Sequence, residues 1–201
     1  MWLDALLPNI ESLSLSLLLT SANDWQAKAP NQKFYPNQSS HHQLPRTRER
    51  IAMQLEDILS LERCHCRIEG VSKKRVLTKV SEIISGNIDS LEATEVFDAL
   101  MARERLGTTG LGNGIAIPHC RLAPCENIIG ALITLDQPVD FDSLDNKPVD
   151  ILFVLLVPHE KNDEHVRTLA GLATLFNDED FCFTIRHTHD SEDLYNIAIT
   201  Y

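Results

Sequence analysis

The stretch VDILFVLLV, Val149 to Val157, is apolar at nearly every position. A half-buried strand would alternate apolar and polar residues, so this pattern predicts a central strand that is buried on both faces. A second β-branched run, IIGALITL from Ile128 to Leu135, precedes it. Turn signals follow both runs, Gln137-Pro138 after the first and Pro158 after the second.

Helical patterns lie on both sides of these strands along the chain. Ser72 is a candidate N-cap for a helix to about Ser85, and Asp89-Ser90-Leu91-Glu92 looks like a capping arrangement for a second helix that ends near Leu106-Gly107. Helices before and after a compact sheet indicate an α/β fold, with a mixed central β-sheet flanked by α-helices. The remaining predicted helices run from Asn162 or Asp163 through Phe176, from Asp178 to Arg186, and from Asp190 to Ile199.

The 201 residues suit one domain with an extension. The net charge of −11 is unevenly placed, because residues 1–52 carry +1 and the rest carries −12. Such an acidic body excludes a general nucleic-acid binder, which would carry a basic face. Residues 1–52, rich in Asn, Gln, Ser and Pro from Ser21 to Arg50, are predicted to be a poorly ordered extension. Residues 53–201 are predicted to form the domain, and one hypothesis is that Met53 is the true start.

The cysteines and the first apolar segment indicate a cytoplasmic location. Five cysteines in irregular spacing form no disulfide framework, which favours a reducing compartment. Cys64-His65-Cys66 has no second cysteine pair at zinc-finger spacing. The uninterrupted apolar run from Leu13 to Leu19 is too short to span a bilayer. We therefore expect no membrane insertion.

Half of the eight glycines fall within GTTGLGNGIAIPHCR, residues 107 to 121. Glycine allows close approach to the main chain, so this run is expected to leave several N–H groups free to bind an anion. The hydroxyls of Thr108 and Thr109, and the N–H of Gly110, are candidate phosphate donors. The run is not a P-loop, since no Gly-Lys-Ser/Thr follows, and it lacks dinucleotide-binding spacing.

His119 ends this stretch, and Pro118 should direct its imidazole from the end of a strand. A nucleophilic imidazole that accepts a phosphoryl group needs a free ring nitrogen, donors for phosphate oxygens and nearby positive charge, which Arg103 can supply. His165 lies at the start of a later helix and could meet His119 at the strand ends. A zinc hydrolase using His119, His159 or His165 and Asp163 is a rival interpretation without a compact ligand motif.

The segment RERLGTTGLGNGIAIPHCR resembles the active-site signature of enzyme IIA of the phosphoenolpyruvate-dependent phosphotransferase system, in its fructose/mannitol/nitrogen-regulatory superfamily. The match extends from Met53 to the C-terminus and implies a single enzyme IIA type-2 domain. It implies that a histidine-phosphorylated carrier protein phosphorylates His119. It also implies that His165 is the second active-site histidine and that Arg103 helps to neutralise the phosphate. No metal or other cofactor is required. The other matching segments are LEDILSLERC, SKKRVLTKVSEII, DNKPVDILFVLLVP and EDLYNI.

The sequence looks most like the nitrogen-regulatory type, in which phosphorylation is a regulatory mark. That likeness implies a nitrogen-branch carrier as phosphoryl donor, and targets such as potassium-transport proteins or sensor kinases. The alternatives are a fructose- or mannitol-type component that passes the phosphoryl group to a sugar permease, and a binding module that has lost phosphotransfer. Cys120 departs from the family pattern, which usually has glycine there, and places an oxidisable thiol beside His119.

Overall fold

The computed structural model describes residues 55–159 and 162–201. The predicted extension and the proposed start at Met53 lie outside these residues. A short 3₁₀ turn at Leu61–Arg63 leads into the first strand. The strands are β1 (Cys64–Ile68), β2 (Gly110–Gly112), β3 (Ile115–Ala116), β4 (His119–Arg121), β5 (Ile129–Val139) and β6 (Val149–Val157). The helices are α1 (Lys73–Ser85), α2 (Ala93–Glu104), α3 (Asn162–Phe176), α4 (Glu179–Arg186) and α5 (Ser191–Thr200).

Strand β6 is the centre of a mixed sheet, as its apolar pattern predicts. The sheet order is β1-β5-β6-β3-β2, with β4 also paired to β6. β5 runs antiparallel to β6, whereas β3 and β4 run parallel to it and β1 runs parallel to β5. Every residue of β6 is buried except Asp150, which is half-buried. The predicted fold class, a mixed sheet flanked by helices, is confirmed.

The side chains of β6 divide between two apolar cores. Leu152, Val154 and Leu156 pack in one core with α1 and α2, while Phe153 and Leu155 pack in the other with α3, α4 and α5. Successive strand residues point to opposite faces of a sheet, so one continuous apolar run supplies both cores. Helices therefore cover both faces of β6, beside which β4 lies.

Two predicted boundaries are wrong. The predicted turn at Gln137-Pro138 lies inside β5, which continues to Val139. Proline fits there because the pairing with β6 shifts register between Thr134 and Val139, so no ladder hydrogen bond is lost. The predicted capping arrangement before α2 is also absent, because the N-cap is Glu92 and its side chain makes no capping bond.

Three helix starts follow the sequence, whereas α3 begins at Asn162 itself, so neither Asn162 nor Asp163 is its N-cap. Ser72 caps α1 by accepting a hydrogen bond from the Arg75 N–H. Asp178 and Asp190 cap α4 and α5 with their carboxylates. α2 differs, because Leu91 is buried in the core next to it and Glu92, whose side chain makes no capping bond, stands at the N-cap position.

Candidate active site

His119 is the first residue of β4 rather than a residue that leaves a strand end, which corrects the sequence expectation. Residues 115–121 run beside β6 in one unchanged register, interrupted between β3 and β4 by Ile117 and Pro118. Pro118 has no N–H to continue the ladder, but its carbonyl accepts a hydrogen bond of 2.9 Å from the Leu155 N–H. The pairing with β6 is therefore interrupted just before His119 and resumes in the same register.

Strand alternation directs His119 toward α3. Its neighbour Cys120 packs in the core formed with α1 and α2, so the His119 side chain projects to the opposite face. There the first turns of α3 bring His165 to a ring-centroid distance of 5.7 Å from His119. Both histidines are buried: His119 is 5% exposed and His165 is 3% exposed. The structure thus brings together the two histidines that the sequence singled out.

Two hydrogen bonds fix the protonation of the His119 ring. Nδ1 lies 2.8 Å from the carbonyl oxygen of Ile117, and Nε2 lies 3.1 Å from Nε of Arg103. A carbonyl oxygen can only accept and a guanidinium can only donate. Nδ1 therefore carries the proton, and Nε2 presents its lone pair to Arg103.

The surroundings keep this imidazole neutral. Burial, followed by the positive charge of Arg103, lowers the pKa of His119 from 6.5 to about 4, although the Ile117 carbonyl opposes the shift. The ring is then unprotonated at Nε2 throughout the neutral range. A neutral nitrogen with an available lone pair is a nucleophile, whereas an imidazolium is not.

Arg103 reaches the ring from the last turn of α2. Its Nη1 donates a hydrogen bond of 3.1 Å to the carbonyl oxygen of Gly107, and the same guanidinium donates through Nε to His119. This second bond fixes the guanidinium plane beside the nucleophilic nitrogen. The side chain is half-buried, so its charge is only partly screened by water.

The three candidate phosphate-binding residues have their donors engaged within the chain. The Thr109 N–H and hydroxyl both donate to the carboxylate of Glu104, the hydroxyl at 2.6 Å. The Thr108 hydroxyl donates to the carbonyl of Phe141, and the Gly110 N–H donates to the Thr108 oxygen. The N–H groups of Thr109 and Gly110, which were expected to be free, therefore donate to acceptors within the chain. Phosphate binding by Thr108, Thr109 and Gly110 stays a prediction.

Sequence reasoning missed the side chains that hold the glycine run. Lys73 and Glu104 hold its start, and Asp145, Asp150 and Arg186 hold its end. One signal was available for Glu104, which occupies the last turn of α2, where the helix dipole disfavours an acid. An acid in that position indicates a partner elsewhere in the fold.

Cys120 is held in its thiol form. Burial raises the pKa of Cys120 to about 12, and burial also raises the pKa of nearby Cys125. Thiolate is the reactive species, so a buried thiol with a raised pKa is protected from oxidation. The thiol beside His119 therefore acts as a small apolar side chain in the core.

The metal interpretation finds no ligand cluster in the described part of the chain. No three His, Cys, Asp or Glu side chains there converge as metal ligands, and His159 is exposed. Among the same residues, no helix is both long and apolar enough to cross a bilayer.

Comparison with known proteins identifies the family of this chain. Residues 57–199 match the family "Phosphoenolpyruvate-dependent sugar phosphotransferase system, EIIA 2". A nitrogen regulatory protein of Pseudomonas aeruginosa is 44% identical over 147 residues, which cover 73% of this chain and 96% of that protein. The crystal structure of the nitrogen regulatory protein IIA-Ntr from Neisseria meningitidis, 36% identical, superposes with a TM-score of 0.68 over 72% of this chain and 99% of that one.

More distant structures share the fold. IIA mannitol from Escherichia coli, at 19% identity, superposes with a TM-score of 0.59 over 70% of this chain and 98% of that one. The family match covers more than half of the chain and the Pseudomonas relative nearly all of its own length. This chain therefore belongs to the type-2 enzyme IIA family of the phosphoenolpyruvate-dependent sugar phosphotransferase system, and its relatives include nitrogen regulatory proteins.

Proposed function

We propose that the protein accepts a phosphoryl group on Nε2 of His119 from a histidine-phosphorylated carrier protein of the nitrogen branch. The observation that carries the proposal is the state of the ring, in which Nδ1–H donates to Ile117 while Nε2 stays unprotonated beside Arg103 and His165. A carrier phosphohistidine needs an acceptor that is already deprotonated. The low pKa of His119 supplies one without a separate general base.

The transfer exchanges one nitrogen–phosphorus bond for another. The bond between the donor imidazole and phosphorus breaks as the bond between Nε2 and phosphorus forms, and the donor ring recovers its lone pair. Arg103 must release Nε2 and donate to the phosphoryl oxygens instead, so that its charge offsets theirs. The proton stays on Nδ1, and its hydrogen bond to the Ile117 carbonyl oxygen supports the charge that the ring acquires. His165 is placed to contact the phosphoryl group from α3.

In this proposal the transferred group serves as a regulatory mark. Phosphorylation adds roughly two negative charges at a site where the neutral ring stood. Partner proteins, such as potassium-transport proteins or sensor kinases, then distinguish the two states by charge. The proposal is supported by the relatedness to nitrogen regulatory proteins.

Phosphotransfer from labelled phosphoenolpyruvate, through enzyme I and the nitrogen-branch carrier, tests the first step. We expect acid-labile label on the wild type and on His187→Ala, an exposed-histidine control, and none on His119→Ala. Nitrogen NMR of the labelled protein should place the phosphorus on Nε2. Label that persists in His119→Ala would show that the acceptor is a different residue.

The same assay separates the regulatory from the transport interpretation. A fructose-specific EIIA component of Haloferax volcanii is 35% identical over 96 residues, which keeps the sugar branch as the alternative. Faster labelling by the sugar-branch carrier, with onward transfer to a fructose- or mannitol-type IIB protein, would favour that alternative. Equal affinity of His119→Ala and the phosphorylated protein for every candidate target would exclude the switch.

A further inference from the structure

Glu104 is a buried carboxylate that does not touch His119 but lies at the centre of the contacts that hold it. Only 5% of its side chain is exposed. Its Oε2 accepts hydrogen bonds from the Thr109 N–H at 3.2 Å and from the Thr109 hydroxyl at 2.6 Å, and its Oε1 accepts one from Lys73 Nζ at 2.9 Å. Such complete burial of a charged group costs free energy unless the group is fully hydrogen-bonded. A buried carboxylate at this position therefore needs a structural reason.

The carboxylate is connected to the imidazole through the main chain. Thr109, which Glu104 holds by both of its donors, accepts a hydrogen bond of 3.0 Å from the Ile117 N–H. The Ile117 carbonyl, whose direction Pro118 restricts, accepts the bond from Nδ1 of His119. Displacing Thr109 would move Ile117 and with it the carbonyl that bonds to Nδ1.

The other ring nitrogen is held from the same point. Arg103, which donates to Nε2, immediately precedes Glu104 in the last turn of α2. Fixing the Glu104 side chain against Thr109 therefore fixes the end of the helix from which Arg103 extends. The partner of Nδ1, Ile117, is therefore connected to Glu104 through Thr109, and the partner of Nε2, Arg103, is the residue next to Glu104 in the chain.

Lys73 balances the charge of this carboxylate. Besides Glu104, its ammonium donates to the Phe141 carbonyl at 2.9 Å and to Asp142 at 2.7 Å. Burial opposes the charge on Lys73, but the hydrogen bonds to Asp142 and Glu104 outweigh it and raise the pKa of the ammonium. The network is complete, because the three ammonium donors each have an acceptor.

We propose that Glu104 is a positioning residue for phosphoryl transfer, which holds His119 in the tautomer protonated at Nδ1 by way of Thr109 and Ile117. The proposal rests on the proposed function for its rate effect. Its effect on the tautomer is a property of the unphosphorylated protein. A glutamine at this position has one acceptor oxygen and an NH2 group that only donates, so it cannot satisfy both Thr109 donors and Lys73. The weakened hold on Thr109 should weaken the bond to Nδ1 and let part of the ring carry its proton on Nε2, where it cannot accept phosphorus.

Nitrogen NMR of His119 and single-turnover phosphotransfer test the proposal on Glu104→Gln. We expect a measurable fraction of the Nε2-protonated tautomer and a fall in the transfer rate of about tenfold or more, as for a misplaced reacting group. Asp150→Asn is the matched control, since it removes a charge from the other end of the glycine run, and it should change neither readout.

The double variant Lys73→Gln/Glu104→Gln separates positioning from stability. Removing both charges should recover much of the stability lost in Glu104→Gln, yet leave the tautomer mixture and the slow transfer. Recovery of the wild-type tautomer and rate in the double variant would overturn the proposal, because it would show a purely structural ion pair. A single tautomer in Glu104→Gln would overturn it also. Failure of the wild type to accept label would instead refute the proposed function and leave the tautomer test standing.

Discussion

The two ends of the glycine run are held by charged side chains that differ in exposure. The upstream anchor, Lys73 and Glu104, is largely buried, with 17% and 5% of the side chains exposed. The downstream anchor, Asp150 and Arg186, is more open, at 26% and 29%. Arg186 donates through Nε to both oxygens of Asp150 and through Nη2 to the Asn113 carbonyl. The anchor with hydrogen-bonded connections to His119 is the buried one.

Ion pairs of different exposure hold a loop with different precision. A more exposed ion pair closes a loop with a smaller desolvation penalty and tolerates more movement, because water can reach either partner. A buried pair with every donor satisfied has no such substitute, so it fixes geometry at the expense of desolvation. The upstream anchor must hold Thr109 in place for His119, while the downstream anchor only closes the turn at Asn113.

The most severe test removes the carboxylate of the upstream anchor. We expect Glu104→Ala to lower the free energy of unfolding by about 3 to 5 kcal/mol, since it leaves two Thr109 donors without their acceptor and removes one of the three acceptors of the Lys73 ammonium. Urea unfolding measures this loss. Asp98→Ala, at an exposed position in α2, is the control and should change stability little. A loss below that of the downstream variants would reverse the comparison.

The His119 ring, to which the upstream anchor is connected, should make the stability of the protein depend on pH. His119 has a folded-state pKa of about 4 against an ordinary 6.5, so the unfolded chain binds the proton first as the pH falls. The stability contributed by the neutral ring is complete above 6.5 and is lost between 6.5 and 4, by about 3 kcal/mol in all. Unfolding of the wild type and His119→Gln across that interval measures it. Parallel curves for the two proteins would rule out the lowered pKa.

The turn at the downstream anchor depends on a glycine conformation. Gly114 has φ +81°, and an added Cβ would lie 2.7 Å from Arg186 Nη2 and from an Asp150 oxygen. Gly114→Ala should therefore cost about 2 kcal/mol in unfolding free energy, from backbone strain and a disturbed ion pair. Gly107→Ala is its control, because a Cβ there meets no atom within 4 Å. That control should be neutral or stabilise by about 0.5 kcal/mol.

The smallest effect is expected from the charge of the downstream anchor. Asp150→Asn keeps one acceptor for Arg186 and water can solvate the rest, so the loss should be about 1 kcal/mol. Thermal or urea unfolding measures it, with phosphotransfer as a second readout that should not change. A slowed transfer in Asp150→Asn would mean that both anchors position His119, and the comparison between them would fail.

Much of the fold could be predicted because it is encoded locally. The apolar run of β6 and the N-caps Ser72, Asp178 and Asp190 depend on residues within one element, so pattern alone locates them. The wrong boundaries depend on distant contacts. Pro138 stays within β5, where the pairing shifts register against another strand, and Glu92 stands at the N-cap of α2 without a capping bond, next to buried Leu91.

The order of residues predicts the groups available for the chemistry, namely a histidine after a glycine run, an arginine on the preceding helix and a second histidine on a later one. Which ring nitrogen is free follows from the packed chain, because it depends on Ile117 bonding to Nδ1 and Arg103 bonding to Nε2. The tertiary structure also decides that the Thr109 donors serve Glu104, whose ammonium partner Lys73 lies 31 residues away. Residue types and spacing specify which groups exist, but hydrogen bonds saturate, and only the packed chain settles which donor meets which acceptor.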